Sequence, residues 1–392
     1  MQILAVNAGS SSLKFQMYEM PAEKVIISGV FERIGVGSSF YTIKLNGNKI
    51  KKEHEFQNHD EAVAVLIQEL FDNKVVNSLD EIVGIGHRVV HGASKYADSV
   101  VITDEVLNDI EGFIPLAPLH NPANIMGIRA FKKLVPDAIQ VAVFDTAFHQ
   151  TMPDVSYLYS VPYSWYEEHG VRKYGFHGTS HKYLTNRMSE ILNTNEFKLI
   201  TCHLGNGGSI SAVENGKCID TSMGFTPNAG IMMGTRSGDI DVTVIPYIME
   251  ATKKSLDTVI NELNKNSGYL GISCLSSDSR DIENGIEEGN EQCILAQKMY
   301  IKRVVEYIAK YYVLLGGVDA ICFSAGVGEN SAKTRKDIID SLAVLGIKLD
   351  EEANQTRGEE KLITTADSTV PCYIVPTDEE VMIARDTLKF IK

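Results

Sequence analysis

The chain contains the same short layout twice: a strand-like run, a turn rich in small residues, and a second strand-like run. The first copy reads ILAVNAGSSSLKFQMYEM and begins at Ile3; the second reads KLITCHLGNGGSISAVENGKCI and begins at Lys198. Each half is therefore predicted to begin with a β-hairpin whose turn presents backbone N–H groups and hydroxyls. Such turns can bind phosphate. The layout indicates an internal duplication, and two unrelated hairpins are the alternative.

The rest of the chain alternates short β-type runs with amphipathic helical stretches. Apolar residues spaced three and four apart predict one helix around Val63–Phe71 and another from Ile301 to Leu315, which Gly316 and Gly317 end. Strand-like runs include GIGHRVVH, IQVAVFDTAF, AICFSAGVG and CYIVPT. We therefore predict an α/β protein with sheets covered by helices. Its 392 residues are enough for about two domains, since single cores stop growing near ~250 residues.

Charge and cysteine usage restrict the partners and the compartment. The formal net charge of −14 disfavours nucleic acid and membrane lipid as partners, so an anionic ligand would need locally concentrated positive charge. We expect no secretory leader and no membrane span, because no apolar run approaches ~20 residues. Six cysteines without a C-x-x-C pair are expected to be buried or inert thiols of a reducing cytoplasm, which argues against a zinc site.

Three glycine-rich turns are the candidates for phosphate or nucleotide binding. They are NAGSSSLKF, HLGNGGS and SAGVGEN, and the last lies between a strand and a predicted helix. Neither a G-x-x-x-x-G-K-[ST] loop nor a G-x-G-x-x-G turn after a strand is present, which disfavours P-loop and Rossmann sites. A strand, glycine loop and helix can direct amides at an anion or let adenosine approach the backbone. Helix capping by Asn330 or Ser331 is the alternative for the third turn.

Arginines in glycine-rich or apolar settings are the candidates for binding an anionic substrate. Arg88, Arg236 and Arg280 offer planar donor sets that match carboxylate and phosphate oxygens. Each could instead form a structural ion pair, Arg236 with Asp239 or Arg280 with Asp278.

Histidines and carboxylates complete the candidate chemistry. The histidines of interest are His120, His149, His177 and His181, and we expect His181 to be structural at the start of a helix. No Cys/His set has metal-ligand spacing, so a bound metal would be a hard cation held by oxygen. Asp145 and the pair Glu379–Glu380 are the best carboxylates for it, although Glu380 could simply stabilise a helix N-terminus.

The motifs, taken in order, resemble the acetokinase family over essentially the whole chain. They are NAGSSSLKF, GHRVVHG, PLHNP, FDTAFH, YGFHGTSH, HLGNGGS, MGTRSGDID, AGVGEN and TDEE. The resemblance implies duplicated ribonuclease-H-like (actin-like ATPase) domains with mixed sheets flanked by helices. We expect an N-terminal domain of residues 1–149 plus 384–392 and a C-terminal nucleotide-binding domain of residues 150–383.

The resemblance also implies an activity and its partners. It implies a cytoplasmic homodimer that reversibly transfers the γ-phosphoryl group of ATP to acetate, giving acetyl phosphate and ADP. The reaction would depend on Mg²⁺, with Mn²⁺ as a possible substitute. Nucleic acid and membrane are not expected as partners.

Residue roles follow from the same resemblance. Catalytic roles are implied for Arg88, His120, Asp145, His177 and Arg236. The acetate site would comprise Arg88, Val90, Leu119, Phe176 and Pro227. Glu379 would organise the metal together with Asn7 or, as the alternative, Asp145. The nucleotide would be held by Ser10, Ser12, Lys14, His203, Leu204, Gly205, Asn206, Gly207, Asp278, Ser279, Arg280, Gly326, Val327, Gly328, Glu329 and Asn330.

Two points qualify the roles that the resemblance implies. A carboxylic acid with a pKa near ~4 is already ionised at neutral pH, so acetate needs no general base, and we expect Asp145 to act through Mg²⁺ and its waters. The segments TPNAGI and ASKY depart from the family pattern beside the acyl pocket, which leaves substrate width open. A kinase for propionate or a longer acid, and a non-kinase nucleotide-driven module of the same fold, are the alternatives.

Overall fold

The computed structural model describes residues 1–391, which form two compact units. The strands are β1 (Gln2–Gly9), β2 (Ser12–Glu19), β3 (Lys24–Glu32), β4 (Phe40–Leu45), β5 (Asn48–Glu53), β6 (Ile82–Val89), β7 (Val100–Val101), β8 (Ile139–Phe144), β9 (Lys198–Leu204), β10 (Gly208–Glu214), β11 (Lys217–Thr221), β12 (Ala320–Ser324), β13 (Lys361–Leu362) and β14 (Cys372–Ile374). The helices are α1 (His59–Asp72), α2 (Asp104–Gly112), α3 (Asn121–Leu134), α4 (Asp154–Tyr157), α5 (Ser164–His169), α6 (Gly178–Leu192), α7 (Val244–Thr252), α8 (Leu256–Lys265), α9 (Gly268–Ser273), α10 (Ser279–Glu287), α11 (Glu291–Leu314), α12 (Ala325–Asn330), α13 (Ala332–Ser341) and α14 (Glu379–Leu388).

The first unit is built on a mixed sheet in the order β5-β4-β3-β2-β1-β6-β8-β7. Strands β1 to β5 form an antiparallel meander, whereas β6 runs parallel to β1 and β8 parallel to β6. Helices α1 and α3 cover one face, and the apolar side chains that they share with the sheet, such as Leu66 and Phe131, are fully buried. The Asn58 side chain accepts a hydrogen bond from the Glu61 amide and so caps α1.

The second unit is built on a mixed sheet in the order β11-β10-β9-β12-β14-β13. Strands β9, β10 and β11 are antiparallel, and β12 and β14 run parallel to β9. The long helix α11 buries residues such as Tyr300 and Val304 in the core of this unit. It ends at Leu314, just before Gly316 and Gly317, both of which have positive φ, as the sequence predicts.

Both sheets contain the same five-strand core. In each, an antiparallel three-stranded meander is followed by two strands parallel to its first strand, giving the order third, second, first, fourth, fifth. In the first sheet these strands are β3-β2-β1-β6-β8, and in the second they are β11-β10-β9-β12-β14. This shared order confirms the predicted class, a duplicated α/β fold of ribonuclease-H type with mixed sheets flanked by helices. The repeated hairpins β1–β2 and β9–β10 occupy the same place in each core.

The C-terminal helix α14 packs on the first sheet. An added Cβ on Gly86 of β6 would lie 2.3 Å from Thr387 Oγ1 and 2.4 Å from Ile383 Cγ2, so the helix approaches the bare backbone of the strand. Of the described residues, the first compact unit comprises 1–150 and 378–391, and the second comprises Thr151–Thr377. The boundaries predicted from the sequence are 149/150 and 383/384; the second differs from the structure because the whole of α14 belongs with the first unit.

The structure buries five of the six cysteines. Cys202, Cys218, Cys293, Cys322 and Cys372 are buried and free, whereas Cys274 is free but exposed. Cys274 is exposed because it follows the short helix α9 in a loop at the surface, so for this residue the expectation of buried or inert thiols stays a prediction of inertness. Within residues 1–391, none of the helices combines the length and apolar character that crossing a bilayer requires.

Candidate active site

Arg88 and Asp145 form a two-pronged ion pair in the first unit. They are brought together because β6 and β8 are parallel neighbours, with Arg88 paired in register with Val143. The Nε of Arg88 lies 3.0 and 3.1 Å from the two Asp145 oxygens, and its Nη2 also donates to Oδ2. Burial alone would lower the pKa of Arg88, but Asp145 outweighs that effect and the pKa is raised. The guanidinium is therefore charged and fixed in one orientation.

The hairpin β1–β2 contributes polar residues beside this pair. Asn7 lies opposite Lys14 across the hairpin, and Ser10 is in the turn that Ser12 follows. Asn7 Oδ1 accepts a hydrogen bond of 3.3 Å from Arg88 Nη1. Because β1 and β6 are parallel neighbours, Asn7 on β1 lies next to the Arg88 guanidinium, although the two segments are far apart in the sequence.

The first turn of α14 brings two more carboxylates to this region. Burial raises the pKa of Glu379 to about 7, and the neighbouring Asp145 and Glu380 add to the rise, while Arg88 opposes it. Glu380 forms a 2.5 Å ion pair with Lys14. The positive charges of Arg88 and Lys14 thus do not fully offset the effects of burial and of the neighbouring carboxylates on the ionised form of Glu379.

That shortage fits a divalent cation held with a polyphosphate. Within residues 1–391, no group of three or more His, Cys, Asp or Glu side chains is arranged to hold a metal. Mg²⁺ does not require one, because it is commonly bound through one or two carboxylates, waters and substrate phosphates. The Glu379 carboxylate and the Asn7 carbonyl oxygen are the kinds of ligand that it prefers.

Three residues predicted to contact the acyl group or transferred phosphoryl also lie in this unit. Val90 is buried directly after β6, and its amide donates to Asn124 Oδ1 at 3.1 Å. Leu119 is 60% exposed, and His120 precedes α3. An exposed leucine at this position is available to a ligand, whereas Val90 is fixed by the core.

His177 lies at the start of α6 in the second unit, with a left-handed backbone (φ 57°) that is uncommon outside glycine. Its Nδ1 is 2.9 Å from Ser209 Oγ, and its ring stacks on His203 with centroids 4.2 Å apart. Ser209 Oγ also lies 2.7 Å from His181 Nε2. Strain and a fixed ring orientation are typical of functional positions. His181 is fully buried at the start of α6, in agreement with the structural role predicted for it.

Arg236 lies on a glycine-rich loop of the same unit. An added Cβ on Gly207, in the turn of β9–β10, would lie 3.3 Å from Arg236 Nη1 and 3.6 Å from His177 Cε1. Arg236 donates to the Pro227 carbonyl at 3.3 Å, and burial lowers its pKa. Among the described residues no carboxylate pairs with it, so the alternative ion pair with Asp239 does not form. Arg236, His177 and the turn of the second hairpin therefore form one cluster, with the buried Phe176 adjacent in sequence.

A cavity of about 600 Å³ opens beside this cluster within the second unit. Predicted nucleotide residues that line it are Gly205, Asn206, Asp278, Ser279, Arg280, Gly326, Val327 and Asn330. His203, Leu204, Gly207, Gly328 and Glu329 are not part of its lining. Glu329 instead supports the loop, because its Oε1 accepts hydrogen bonds from the amides of Ala325 and Thr377.

The two alternatives raised for this region are both realised. Arg280 is paired with Asp278, and Ser331 caps α13 by accepting a 3.0 Å hydrogen bond from the Thr334 amide. Neither excludes a ligand, since Arg280 and Ser331 also line the cavity. Glu283 and Arg357 also line the cavity, although the sequence does not predict them as site residues. No local motif marks them, and only the folded chain brings them to this wall.

Comparison with known proteins identifies the family. The model of the Acetokinase family matches residues 2–385. The chain belongs to the acetokinase family. It is thus an enzyme, a kinase of the group that phosphorylates a carboxylate.

Individual acetokinase-family proteins are similar over nearly their full length. An acetate kinase of Listeria monocytogenes serotype 4b is 54% identical over 98% of this chain and 97% of its own. The acetate kinase of Bacillus cytotoxicus is 55% identical over 99% and 98%. Among solved structures, Porphyromonas gingivalis acetate kinase is 46% identical with a TM-score of 0.95 and full coverage of both chains. A propionate kinase from Francisella tularensis is 41% identical, with the same score and coverage.

Proposed function

We propose that the protein is an acetate kinase that transfers the γ-phosphoryl group of ATP reversibly to acetate, giving acetyl phosphate and ADP. The observation that carries this is the Arg88 guanidinium, charged and oriented by Asp145 in a protein of net charge −14. Among residues 1–391, Asn7 Oδ1, at 3.3 Å, is the hydrogen-bond acceptor of Arg88 Nη1, so Nη1 has donor capacity for a small carboxylate. A non-kinase module would have no use for such a group.

Arg88 is proposed to bind the acetate carboxylate and orient one oxygen for attack. Because both of its oxygens accept hydrogen bonds from Arg88, Asp145 is proposed to anchor Arg88 rather than to act through Mg²⁺ and its waters, the role expected from the sequence. Because acetate is ionised at neutral pH, neither residue needs to remove a proton. Val90, Leu119, Phe176 and Pro227 are proposed to surround the methyl group.

Asn7 and Glu379 are proposed to hold Mg²⁺, or Mn²⁺ in its place. Bound together with the nucleotide, the ion would neutralise part of the charge on the phosphates. Lys14, Ser10 and Ser12 add a cation and hydroxyl donors on the same hairpin.

The second unit is proposed to hold the nucleotide and stabilise the transferred group. The cavity takes the nucleoside, and the turn Gly205–Gly207 takes the phosphates. His177 and Arg236, which both approach Gly207, donate to the equatorial oxygens of the γ-phosphoryl group, and His120 assists. Such transfer needs positioning and charge neutralisation rather than a covalent intermediate, because the transition state is loose and highly charged.

One assay tests the function and its substrate. The protein is incubated with Mg-ATP and acetate, propionate or butyrate, and the acyl phosphate is trapped with hydroxylamine. We expect hydroxamate from acetate, and less from propionate, since one methylene changes binding by only about 1–3 kcal/mol. Absence of hydroxamate with every acid, despite ATP binding, would refute the proposal. A higher kcat/KM for propionate would instead favour propionate kinase, the activity named for the Francisella structure.

The assembly is proposed to be a cytoplasmic homodimer formed through α7 and its flanks. This helix, VIPYIMEAT, has no buried residue in the single chain, although most of its side chains are apolar. Val242, Tyr247 and Leu256 are 75, 70 and 52% exposed, and exposed apolar side chains grouped in a patch are typical of an interface. A second copy of the chain is the proposed partner. Six free cysteines agree with a reducing compartment.

A further inference from the structure

One wall of the cavity in the second unit runs along α12. Its first residue, Ala325, has its Cβ 3.6 Å from the position of an added Cβ on Gly205, in the turn that approaches Arg236. Its last residue, Asn330, has Oδ1 3.7 Å from an added Cβ on Gly358. At about 1.5 Å of rise per residue, these ends are separated by several ångströms. A nucleotide whose phosphates lie at the Gly205 end therefore places its base towards Asn330 and the segment 356–358.

Arg357 lies in the cavity wall at that far end. The other charged groups of the wall are engaged: Arg280 pairs with Asp278, and Glu283 accepts a hydrogen bond from Ser331. Within residues 1–391, no carboxylate forms an ion pair with Arg357, and none of its guanidinium nitrogens has a hydrogen-bond acceptor. An arginine in a cavity wall of so acidic a protein is thus left with its whole donor set available.

The segment that carries Arg357 is held by a second, buried arginine. Arg335 on α13 is fully buried and donates to the carbonyls of Gly328 and Thr356 at 2.9 and 2.8 Å, and to Asn354 Oδ1 at 2.9 Å. Burial lowers the pKa of Arg335 to about 10, and the positive charge of Arg357 adds to the effect. Arg335 therefore ties the α12 wall to the residue just before Arg357, and this clamp fixes where the Arg357 backbone meets the cavity.

We propose that Arg357 binds the nucleobase of the nucleotide through its planar guanidinium and so contributes to nucleotide affinity. The inference rests on the proposed kinase function and adds a base-binding residue to it. A guanidinium plane can stack on a purine or donate to its ring nitrogens, whereas the compact ammonium of lysine can do neither as well. In the proposed function the phosphates lie at the opposite end, at the Gly205–Gly207 turn beside Arg236.

The test compares Arg357→Ala and Arg357→Lys in the full-length protein. Calorimetry gives the dissociation constants for ADP and adenosine. The hydroxamate assay gives the inhibition constant of adenosine against ATP. Both variants are expected to weaken ADP and adenosine by roughly tenfold, as expected for loss of one base-stacking contact. The KM for acetate should not change. Lys361→Ala is the matched control, because Lys361 is an exposed cation on the nearby strand β13.

Two other outcomes are possible, and either would refute the proposed contact between Arg357 and the nucleobase. Restoration of ADP affinity by lysine, or weakened ADP with unchanged adenosine, would mean that Arg357 binds phosphate by charge. Affinities within twofold of wild type in both variants would mean that it binds no nucleotide. Failure of the proposed function is separable, because it would appear as absence of hydroxamate from the wild-type protein while adenosine and ADP binding remain measurable.

Discussion

Arg88 and Asp145 illustrate how a side chain acquires its chemistry from its neighbour. Asp145 is almost completely buried, and its two oxygens accept three hydrogen bonds from one guanidinium. Removing either partner leaves the other charged group without compensation in a region of low exposure, and such changes are costly. The fork geometry, rather than the charge alone, is what orients Arg88.

The role of Arg88 can be tested by changing its shape while keeping its charge. Arg88→Lys should raise the KM for acetate and lower kcat/KM by about 10- to 100-fold, because a lost charged hydrogen bond is worth roughly 1.5–3 kcal/mol. Arg88→Ala should lower it further. Steady-state kinetics with acetate as the varied substrate provide the measurement. Arg129→Lys, at an exposed surface pair with Glu111, is the control. An unchanged KM in Arg88→Lys would show that Arg88 does not bind acetate.

His87, the neighbour of Arg88, should make the stability of the protein depend on pH. Burial lowers its pKa to about 4 from an ordinary 6.5, and the hydrogen bond with Gln140 offsets only part of this. Between these values the unfolded chain binds a proton that the folded chain does not, so the free energy of unfolding falls as pH decreases. The slope from one such group reaches about 1.4 kcal/mol per pH unit.

Denaturant titrations between pH 7 and 4.5 measure that slope. His87→Gln removes one titrating group and should flatten the profile, while buried His91, whose pKa is also lowered to about 4, keeps part of it. Val344→Ala, at a position that is 91% exposed and carries no titratable group, should leave the profile unchanged. An identical slope for His87→Gln and wild type would contradict the assignment.

At the scale of elements, the contact between β6 and α14 determines where Glu379 and Glu380 lie. Gly84 and Gly86 leave the β6 backbone uncovered, and the side chains of Ile383, Thr387 and Ile391 occupy the space. The helix can therefore approach closely and present its first turn beside Arg88. A side chain on β6 would push the helix away from the sheet.

Gly86→Ala tests this contact. The added methyl group would overlap Thr387 and Ile383, which should destabilise the protein by about 1–3 kcal/mol. Because Glu379 would move, the Mg²⁺ concentration needed for half-maximal activity should rise. Urea unfolding and the activity as a function of Mg²⁺ concentration provide the two readouts. Gly112→Ala is matched in chemistry, and its Cβ would meet nothing within 4 Å. Equal behaviour of the two variants would show that α14 does not depend on this close approach.

At the scale of the whole molecule, the apolar face of α7 predicts self-association. Tyr247→Glu places a charge on a residue that is 70% exposed in the single chain but covered in the proposed dimer. Analytical ultracentrifugation should show a dimer for the wild type and a monomer for the variant. Val344→Glu, at a position that is 91% exposed outside this face, should remain dimeric. A monomeric wild type would refute the proposed assembly.

Much of the architecture was predictable because local pattern encodes it. The spacing of Val63, Leu66 and Leu70 gives α1, and the alternation through Ile3 to Met17 gives the first hairpin. The repeated hairpin indicated the duplication. The bounds of the units were less predictable, since the pattern of α14 does not tell which sheet its apolar face covers.

The sequence alone determined the order of strands, turns and helices, the family, and which polar residues could form a site. It could not reveal that Arg88 and Asp145 share hydrogen bonds, that the Glu379 pKa rises to about 7, or that Arg357 reaches a cavity wall. Those properties depend on contacts between segments distant in the chain and on burial. Secondary structure follows from periodicity over a few residues, whereas the electrostatics of a site are decided by what the tertiary fold packs around it.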